Sequence, residues 1–280
     1  MAGILYVVAT PIGNLEDVTL RALRVLRDVS IVAAEDTRRT ARLLQHYSIS
    51  TPTTSLHEHN ERQKTPALVE RLTRGESVAL VSDAGTPVVS DPGETLVAAA
   101  RDAGVRVESI PGPSAVMAAL SASGLPAGEF TFLGFAPNRS QDRKGWLEKM
   151  RKEPRLVVFF EAPHRVLGTL TELGALIGGD AVIGVGRELT KVHEELVVQP
   201  ISWLLKHFAD PVGEFTLLIP PQETNADAAV AAPSGHQLGE ELGELTKNGR
   251  LRRREALKVL AERHGLAVNE LYRLLGSAGS

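Results

Sequence analysis

The stretch that decides the fold is Ser82-Asp83-Ala84-Gly85-Thr86-Pro87-Val88-Val89-Ser90-Asp91-Pro92-Gly93. It follows the apolar run Ser77-Val78-Ala79-Leu80-Val81 and precedes a helical pattern from Glu94 to Ala100. Two Asp, two Gly, two Pro and three hydroxyl residues in twelve positions interrupt both a strand and a helix. Open α/β sheets bind their ligands in the loops that leave the carboxyl ends of parallel strands. Ordinary loops of this kind have about 2 to 6 residues, so this longer loop predicts a ligand site.

Apolar runs and helical patterns alternate on both sides of this loop, as in a doubly wound α/β fold. In the first half, strands are predicted at 4–8, 30–34, 77–81 and 106–110, with helices between them. The second half has fewer helices, which predicts a mixed sheet with strands at 130–135, 156–160, 181–185, 194–198 and 214–219.

Glycine and proline mark the predicted domain limits. The break Gly124-Leu125-Pro126-Ala127-Gly128 separates an N-terminal α/β domain, 1–123, from a second α/β domain, 124–220. A linker rich in Ala and Pro is predicted at 221–237, and a small helical tail at 238–280. Within the tail, residues 252–264 and 268–275 have the helix-turn-helix pattern, which many unrelated sequences match by chance.

The composition excludes several classes of protein. The chain has 280 residues, 43% of them hydrophobic, and a formal net charge of -3, which excludes a uniformly basic nucleic-acid binder. It contains no Cys, and therefore no disulfide, thiolate metal site or Cys nucleophile. It shows no basic leader and no apolar run of about 18 residues, so we expect a cytoplasmic protein that does not enter a membrane. Positive charge is concentrated in 138–155, with seven Arg or Lys against three acids, and in 247–273, with eight against three.

Four loops at predicted strand ends combine Gly or Pro with small residues: 9–14, 82–93, 111–115 and 160–165. Small residues let the main chain approach a ligand closely, and the helices that begin after Gly93 and Ser114 offer free amides to a carboxylate. None of the loops has the spacing of a P-loop or of a dinucleotide fingerprint. Binding of a nucleotide triphosphate or of NAD is therefore weakly supported.

Charged residues gather at the same strand ends. A single cluster of this kind is usually only solvated charge, but three at one sheet edge favour a functional site. His57 and His59 have a spacing that could hold a metal on a strand, but no third ligand lies nearby, so no metal is predicted. The three clusters are Glu35-Asp36 with Arg38 and Arg39, Glu161 with His164 and Arg165, and Arg187-Glu188 with Lys191, His193 and Glu194.

Eight short motifs, in their order along the chain, resemble those of the tetrapyrrole methylase superfamily. The resemblance covers about residues 4–219, and the segment 255–261 with 270–272 is similar to a small helical tail in that family. The motifs are Val8-Ala9-Thr10-Pro11-Ile12-Gly13-Asn14-Leu15, Glu35-Asp36-Thr37-Arg38, His57-Glu58-His59-Asn60-Glu61, Ser82-Asp83-Ala84-Gly85-Thr86-Pro87, Ser90-Asp91-Pro92-Gly93, Pro111-Gly112-Pro113-Ser114-Ala115, Glu161-Ala162-Pro163-His164-Arg165 and Arg187-Glu188-Leu189-Thr190-Lys191.

The resemblance implies two α/β domains of the tetrapyrrole methylase type, with S-adenosylmethionine as methyl donor in the cleft between them, plus a small C-terminal helical domain. The first domain would lie on the RNA side and the second on the donor side. The implied acceptor is the ribose 2'-hydroxyl of a decoding-centre cytidine, cytidine 1402, of 16S rRNA in the small ribosomal subunit. A homodimer that needs no metal is also implied.

The same resemblance implies roles for individual positions of this sequence. The donor pocket would use Pro11, Asp83, Ala84, Gly85, Thr86, Ser114, Ala115, Phe160, Val185 and Thr216. The RNA phosphates would meet Arg38, Arg39, Arg139, Arg143, Lys144, Arg165, Arg187, Lys191, Arg252, Arg253 and Arg254.

Methyl transfer to a ribose requires that the hydroxyl, a poor nucleophile, gives up its proton. Three side chains are candidates for the base: Asp36, Glu161 and His164. Asp83 lies in the loop implied to meet the donor, so we expect it to position the donor instead. Two other interpretations stay open: a methyltransferase for a tetrapyrrole or another small molecule, and a DNA-binding regulator that uses the helical tail.

Overall fold

The computed structural model describes residues 2–222, 235–247 and 253–264 together with Leu271 and Leu275. The chain divides into two compact units, Met1–Gln222 and Glu223–Ser280. The first unit contains two five-stranded sheets, which confirms the predicted α/β class. Among the described residues, no helix is both long and apolar enough to span a bilayer.

The first sheet is wholly parallel, in the order β3-β2-β4-β1-β5. All five carboxyl ends therefore lie at one edge, which brings together loops that are far apart in sequence. The strands are β1 (Ile4–Val8), β2 (Ile31–Ala34), β3 (Thr53–Ser55), β4 (Val78–Val81) and β5 (Arg106–Ile110). The helices are α1 (Leu20–Asp28), α2 (Thr37–His46), α3 (Glu61–Thr73), α4 (Glu94–Asp102) and α5 (Ala115–Ala122).

Four of these helices cover the first sheet on both faces, because its strands are apolar on both faces. Val8, Ala79 and Val81 pack against α1 and α2. Leu5 and Leu80 pack on the other face, against α3 and α4. Because helices pack on both faces, the strands of this sheet are buried, and their packing positions the loops at the carboxyl edge.

Helix α5 follows β5 but packs on the second sheet. Its residues Val116, Ala119 and Leu120 form one core with Val158 and Leu218 of that sheet. This helix therefore joins the two sheets into one unit, and it starts at the edge where the first sheet binds ligands in folds of this class.

The second sheet has the order β6-β7-β10-β8-β9, with β6 and β7 parallel and the other neighbours antiparallel. The prediction of a mixed sheet is confirmed. Its other face packs on three helices around Phe159, Leu170 and Leu217. The elements are β6 (Phe130–Phe135), α6 (Ser140–Arg151), β7 (Leu156–Glu161), α7 (Pro163–Ile177), β8 (Val182–Arg187), β9 (Glu195–Pro200), α8 (Ile201–His207) and β10 (Phe215–Ile219).

The second unit contains the helices α9 (Gly235–Thr246) and α10 (Arg253–His264), which share an apolar core that includes Leu242 and Leu257. Helix α9 begins inside the segment predicted to be a linker. Residues 223–234 of that linker, and most of the second helix predicted at 268–275, lie outside the described residues.

Candidate functional site

Three loops at the carboxyl edge of the first sheet are tied together by main-chain hydrogen bonds. The amide of Thr10 donates to the carbonyl of Gly85, and the amide of Gly85 donates to that of Thr10, both at 2.9 Å. The Thr86 hydroxyl donates to the Pro113 carbonyl at 3.3 Å. The loops after β1, β4 and β5 therefore form one continuous wall.

The loop 82–93 is held in an unusual backbone conformation. Gly85 and Gly93 have φ of +77° and +127°, and a Cβ atom at Gly93 would come within 2.6 Å of Leu80 Cδ2. Val88, a β-branched residue, has φ of +75°, and Ser90 has +67°. A non-glycine residue with positive φ, such as Val88 or Ser90, costs about 1–3 kcal/mol, and residues of this kind are concentrated at functional sites. The strain supports the prediction that this loop binds a ligand.

The structure brings most of the predicted donor residues together around the start of α5. Ser114 is the N-cap of that helix, and Ala115 is its first residue. Phe160 and Thr216 are paired neighbours on β7 and β10, and alternation along these strands turns both toward the face that α5 covers. Val185 differs, because its side chain lies in the core on the opposite face, so its side chain does not reach this group.

Acidic groups surround the exit of β4. Asp83 Oδ1 accepts a hydrogen bond from the Asp36 amide at 2.9 Å, and Asp83 Oδ2 lies 3.4 Å from Arg39 Nη1. The Asp83 amide donates to Glu35 Oε2 at 3.2 Å. Asp83 thus connects the ends of β2 and β4, and its expected contact with the donor stays a prediction.

Two carboxyl groups in this cluster hold protons more tightly than usual. The pKa of Asp91 is raised to about 6, mainly by burial; a hydrogen bond with Ser82 lowers it, and the charges of Glu35 and Asp83 contribute to raising it. Burial also raises the pKa of Glu35. Neither residue was predicted to be catalytic or to bind the donor, although Glu35 belongs to a charged cluster at the end of a predicted strand and Asp91 lies in the Ser-Asp-Pro-Gly motif.

Asp36 is poorly suited to accept a proton. It is the N-cap of α2, where its carboxylate accepts from the Arg38 amide at 2.8 Å and from the Arg38 guanidinium at 3.0 and 3.2 Å. The hydrogen bonds from Arg38 lower the pKa of Asp36 to about 2. The side chain therefore stabilises the start of a helix, and its prediction as a base is disfavoured.

Glu161 is the last residue of β7, and its side chain is fully buried, with 0% exposed. Its carboxylate accepts from the Thr169 hydroxyl at 2.5 Å and from the Ala162 amide at 2.9 Å, and lies 3.2 Å from Arg165 Nε. Arg143 Nη1 is 3.6 Å away. A carboxylate with these partners has no route to a ribose hydroxyl, which corrects its prediction as a base.

The same network accounts for two arginines predicted to contact RNA. Arg143 is buried and donates to the Thr169 hydroxyl at 2.6 Å and to the Pro137 carbonyl at 3.2 Å. Arg165 donates to the carbonyls of Ala136 and Pro137. Both guanidinium groups hold the loop between β6 and α6 in place, so their prediction as phosphate contacts is corrected.

Arg187 and Lys191, which were also predicted to contact RNA, form ion pairs with acidic side chains of the protein. Arg187 Nη2 lies 3.0 Å from Glu195 Oε2, and Lys191 Nζ lies 2.7 Å from Glu188 Oε1 and 3.0 Å from Glu214 Oε2. Burial disfavours the charge on Lys191, but these contacts outweigh it and raise its pKa. Lys191 therefore braces its own loop.

The loop that contains Lys191 contacts the loop after β1. The Asn14 amide donates to Thr190 Oγ1 at 3.1 Å. A Cβ atom at Gly13 would come within 2.4 Å of Lys191 Cγ and 3.1 Å of the Leu189 carbonyl oxygen. Only glycine fits so close an approach, which explains its place in the motif of residues 8–15.

The remaining predicted residues lie at the surface. Arg38 and Arg39 side chains are 88% and 58% exposed. Exposed positions are also found for Arg139, Lys144, His164, Arg253 and Arg254, while Arg252 lies outside the described residues.

The two histidines after β3 lie beside each other. Their ring centroids lie 6.1 Å apart, and His57 Nε2 is 3.0 Å from the side-chain nitrogen Nδ2 of Asn60. In the part of the chain that the structure describes, no group of three His, Asp or Glu side chains has metal-binding geometry.

Comparison with known proteins gives a consistent result. Residues 4–204 match the family of tetrapyrrole (corrin/porphyrin) methylases. A Synechocystis sp. protein named ribosomal RNA small subunit methyltransferase I is 43% identical over 97% of both chains. A Vibrio cholerae protein of the same name is 45% identical over 97% of this chain and 94% of its own. The crystal structure of a diphthine synthase has a similar fold, with a TM-score of 0.61 at 18% identity over 78% of this chain and 90% of that one.

Proposed function

The chain belongs to the tetrapyrrole methylase family, and from this premise we propose that it transfers a methyl group from S-adenosylmethionine to the 2'-hydroxyl of a cytidine in 16S rRNA. The observation that carries the proposal is the wall of loops 9–14, 82–93 and 111–115, tied together beside the start of α5. The relatives named ribosomal RNA small subunit methyltransferase I support the choice of acceptor.

The side chains at this wall fit the donor chemically. When bound, S-adenosylmethionine supplies an electrophilic methyl group on a positively charged sulfur. Asp83, Glu35 and Asp91 give this region negative charge, which suits a cationic ligand. Amides at the start of α5 would donate hydrogen bonds to the donor's carboxylate, and Phe160 offers apolar surface. We also assign Pro11, Ala84, Gly85, Thr86, Ser114, Ala115 and Thr216 to this pocket.

The ribose hydroxyl must lose its proton, either to solvent or to a side chain of the protein that acts as a base. Among the three sequence-based candidates, His164 is the exposed one, at the start of α7. Imidazole is suited to proton transfer near neutral pH. We propose His164 over Asp36 and Glu161, and we add Asp91 as a candidate because it lies in the donor loop, where the charge of Asp83 acts on it.

Exposed cations would hold the RNA. Arg38, Arg39, Arg139 and Lys144 are exposed on the first unit, and Arg253 and Arg254 are exposed on α10. Contacts between such side chains and phosphates release counterions, so binding should weaken steeply as salt increases.

The decisive experiment is incubation of the protein with labelled S-adenosylmethionine and small ribosomal subunits that lack the modification. We expect label in the 16S rRNA, and mapping should place it on one cytidine ribose. Label on a small molecule in a cell extract, with none on subunits or naked rRNA, would refute the proposal.

A homodimer in the cytoplasm completes the proposal. The exposed apolar side chains of Leu20 and Val192, at 86% and 96%, are candidates for a subunit interface. Light scattering at micromolar concentration would give twice the mass of 30.1 kDa if the dimer forms, and a mass of one chain would contradict it.

A further inference from the structure

A small cavity lies beside the donor wall, on the side where α2 begins. Its volume is about 140 Å³. Two strand-end loops form one side and one face of α2 forms the other. The lining residues are Thr10, Pro11, Leu15, Arg39, Thr40, Arg42, Leu43, Ser82 and Asp83.

This cavity is distinct from the proposed donor pocket. It shares Pro11 and Asp83 with that pocket, but Thr86, Ser114 and Phe160 do not line it. Pockets for ligands of drug size enclose about 300–1,000 Å³, so a cavity of 140 Å³ holds a smaller group. A ligand here would lie next to the donor without replacing it.

The lining combines apolar surface with two arginines and one carboxylate, Asp83. Pro11, Leu15 and Leu43 supply apolar surface. Arg39 and Arg42 are three positions apart on α2 and therefore share one helix face. Among the described residues, Arg39 forms one ion pair, with Asp83 at 3.4 Å, and its charge also acts on Glu35, whereas Arg42 forms no ion pair. Two guanidinium groups beside an apolar cavity suit a flat group that is linked to an anion.

We propose that this cavity takes the base of one unstacked nucleotide of the RNA substrate, and that Arg39 and Arg42 bind the adjoining phosphate. The proposal rests on the proposed function and adds to it the site where the acceptor strand enters. Sequence-specific RNA recognition mainly uses unstacked bases, which can leave the strand and enter a protein pocket. Because Pro11 and Asp83 belong to both sites, this nucleotide would lie beside the proposed donor.

Arg42→Ala in the full-length chain tests the phosphate contact. We expect the KM for unmodified small subunits to rise about tenfold, as for loss of one charge-assisted contact. The slope of log binding constant against log salt should become shallower by about 0.7, and donor affinity should not change. Arg101→Ala, in the last turn of α4, is the matched control and should leave all three quantities as in the wild type.

Leu15→Trp tests the cavity itself, because a larger side chain at its lining would occupy the space for the base. We expect methyl transfer to fall more than tenfold while donor affinity is kept. Cytidine 5'-monophosphate should inhibit the wild type competitively against subunits, and Arg42→Ala should weaken that inhibition.

The outcomes separate the two proposals. If the wild type transfers no methyl to subunits, the proposed function fails. If it does, but Arg42→Ala keeps the wild-type KM and salt slope, or Leu15→Trp keeps the wild-type turnover, the cavity proposal is wrong.

Discussion

The Asp83 carboxylate illustrates how one side chain organises the carboxyl edge. It accepts from the Asp36 amide and lies beside Arg39, so it fixes the end of β2 against the donor loop. Asp83→Asn keeps one acceptor but removes the negative charge. We expect donor affinity to fall about tenfold, or about 1.4 kcal/mol, with turnover at saturating donor near the wild-type value.

Equilibrium dialysis with labelled donor, combined with turnover at saturating donor, measures these two effects separately. Asp102→Asn, an exposed carboxyl in α4, is the control. A large loss of turnover with unchanged donor affinity would show that Asp83 takes part in proton transfer instead.

Asp91 makes stability depend on pH. Its pKa is raised from 3.8 to about 6, so the folded state binds this proton more tightly than the unfolded state. Stability should therefore fall as pH rises from about 4 to about 6. A shift of two pKa units corresponds to about 3 kcal/mol, and because solvent screens this half-buried group we expect about 1 kcal/mol.

Asp91→Asn should remove this dependence. Urea unfolding of the variant and the wild type on both sides of the pH window measures it, with the exposed Asp210→Asn as control. Equal loss of stability in wild type and Asp91→Asn over the window would mean that another group is responsible.

At the level of elements, the contact between loops 9–14 and 188–191 connects the first sheet to the second. Gly13→Ala would bring a Cβ atom against Lys191 and Thr190, at 2.4 and 2.8 Å, and Lys191 is braced by Glu188 and Glu214. We expect a loss of about 1–3 kcal/mol in unfolding free energy and weaker donor binding, measured by urea unfolding and dialysis.

The control for this change is Gly168→Ala in α7, where a Cβ atom would meet open space. It should increase stability by up to about 1 kcal/mol, because alanine favours the helix. If Gly13→Ala is as stable as the wild type and binds the donor equally well, the loops have more freedom than the structure indicates.

Most elements of both sheets could be predicted because local patterns determine them; the exception is the three-residue strand β3 (Thr53–Ser55), which was not among the predicted strands. Apolar runs ended by Gly, Pro and Asp, such as the one before Ser82, became buried strands with loops at the carboxyl edge. The partners of Arg143 could not be predicted in this way, because its burial depends on α6 and α7 packing together on β7.

A period-two pattern does indicate one of the corrected residues. Glu161 has the same parity along β7 as Val157 and Phe159, whose side chains face the helices. Arg165 and Thr169 follow Glu161 at successive intervals of four residues, which places them on one face of α7. Alternation along the strand also explains why the Val185 side chain points away from the donor pocket.

At the level of the whole molecule, the division into two compact units allows the contribution of the tail to RNA binding to be measured apart from donor binding. Every proposed donor residue lies in the unit Met1–Gln222. We expect a chain that ends at Gln222 to keep wild-type donor affinity. Its affinity for small subunits should fall, and its salt dependence should become shallower, because it lacks the exposed cations of α10.

Filter binding to small subunits over a range of salt concentrations measures this effect. A full-length Arg253→Ala/Arg254→Ala double variant is the matched control and should show part of the same change. Subunit binding by the shortened chain that equals the wild type at every salt concentration would remove the tail from the RNA surface.

Helix α5 has a consequence for dividing the polypeptide into fragments. The chain of the first sheet continues into this helix, yet Val116, Ala119 and Leu120 belong to the core of the second sheet. A break near residue 124 would leave an apolar helix on one fragment and a bare sheet face on the other. Two separately expressed halves would then reassemble only if α5 packs again on the second sheet. Helix α5 would thus provide the main apolar contact between the halves of a split enzyme.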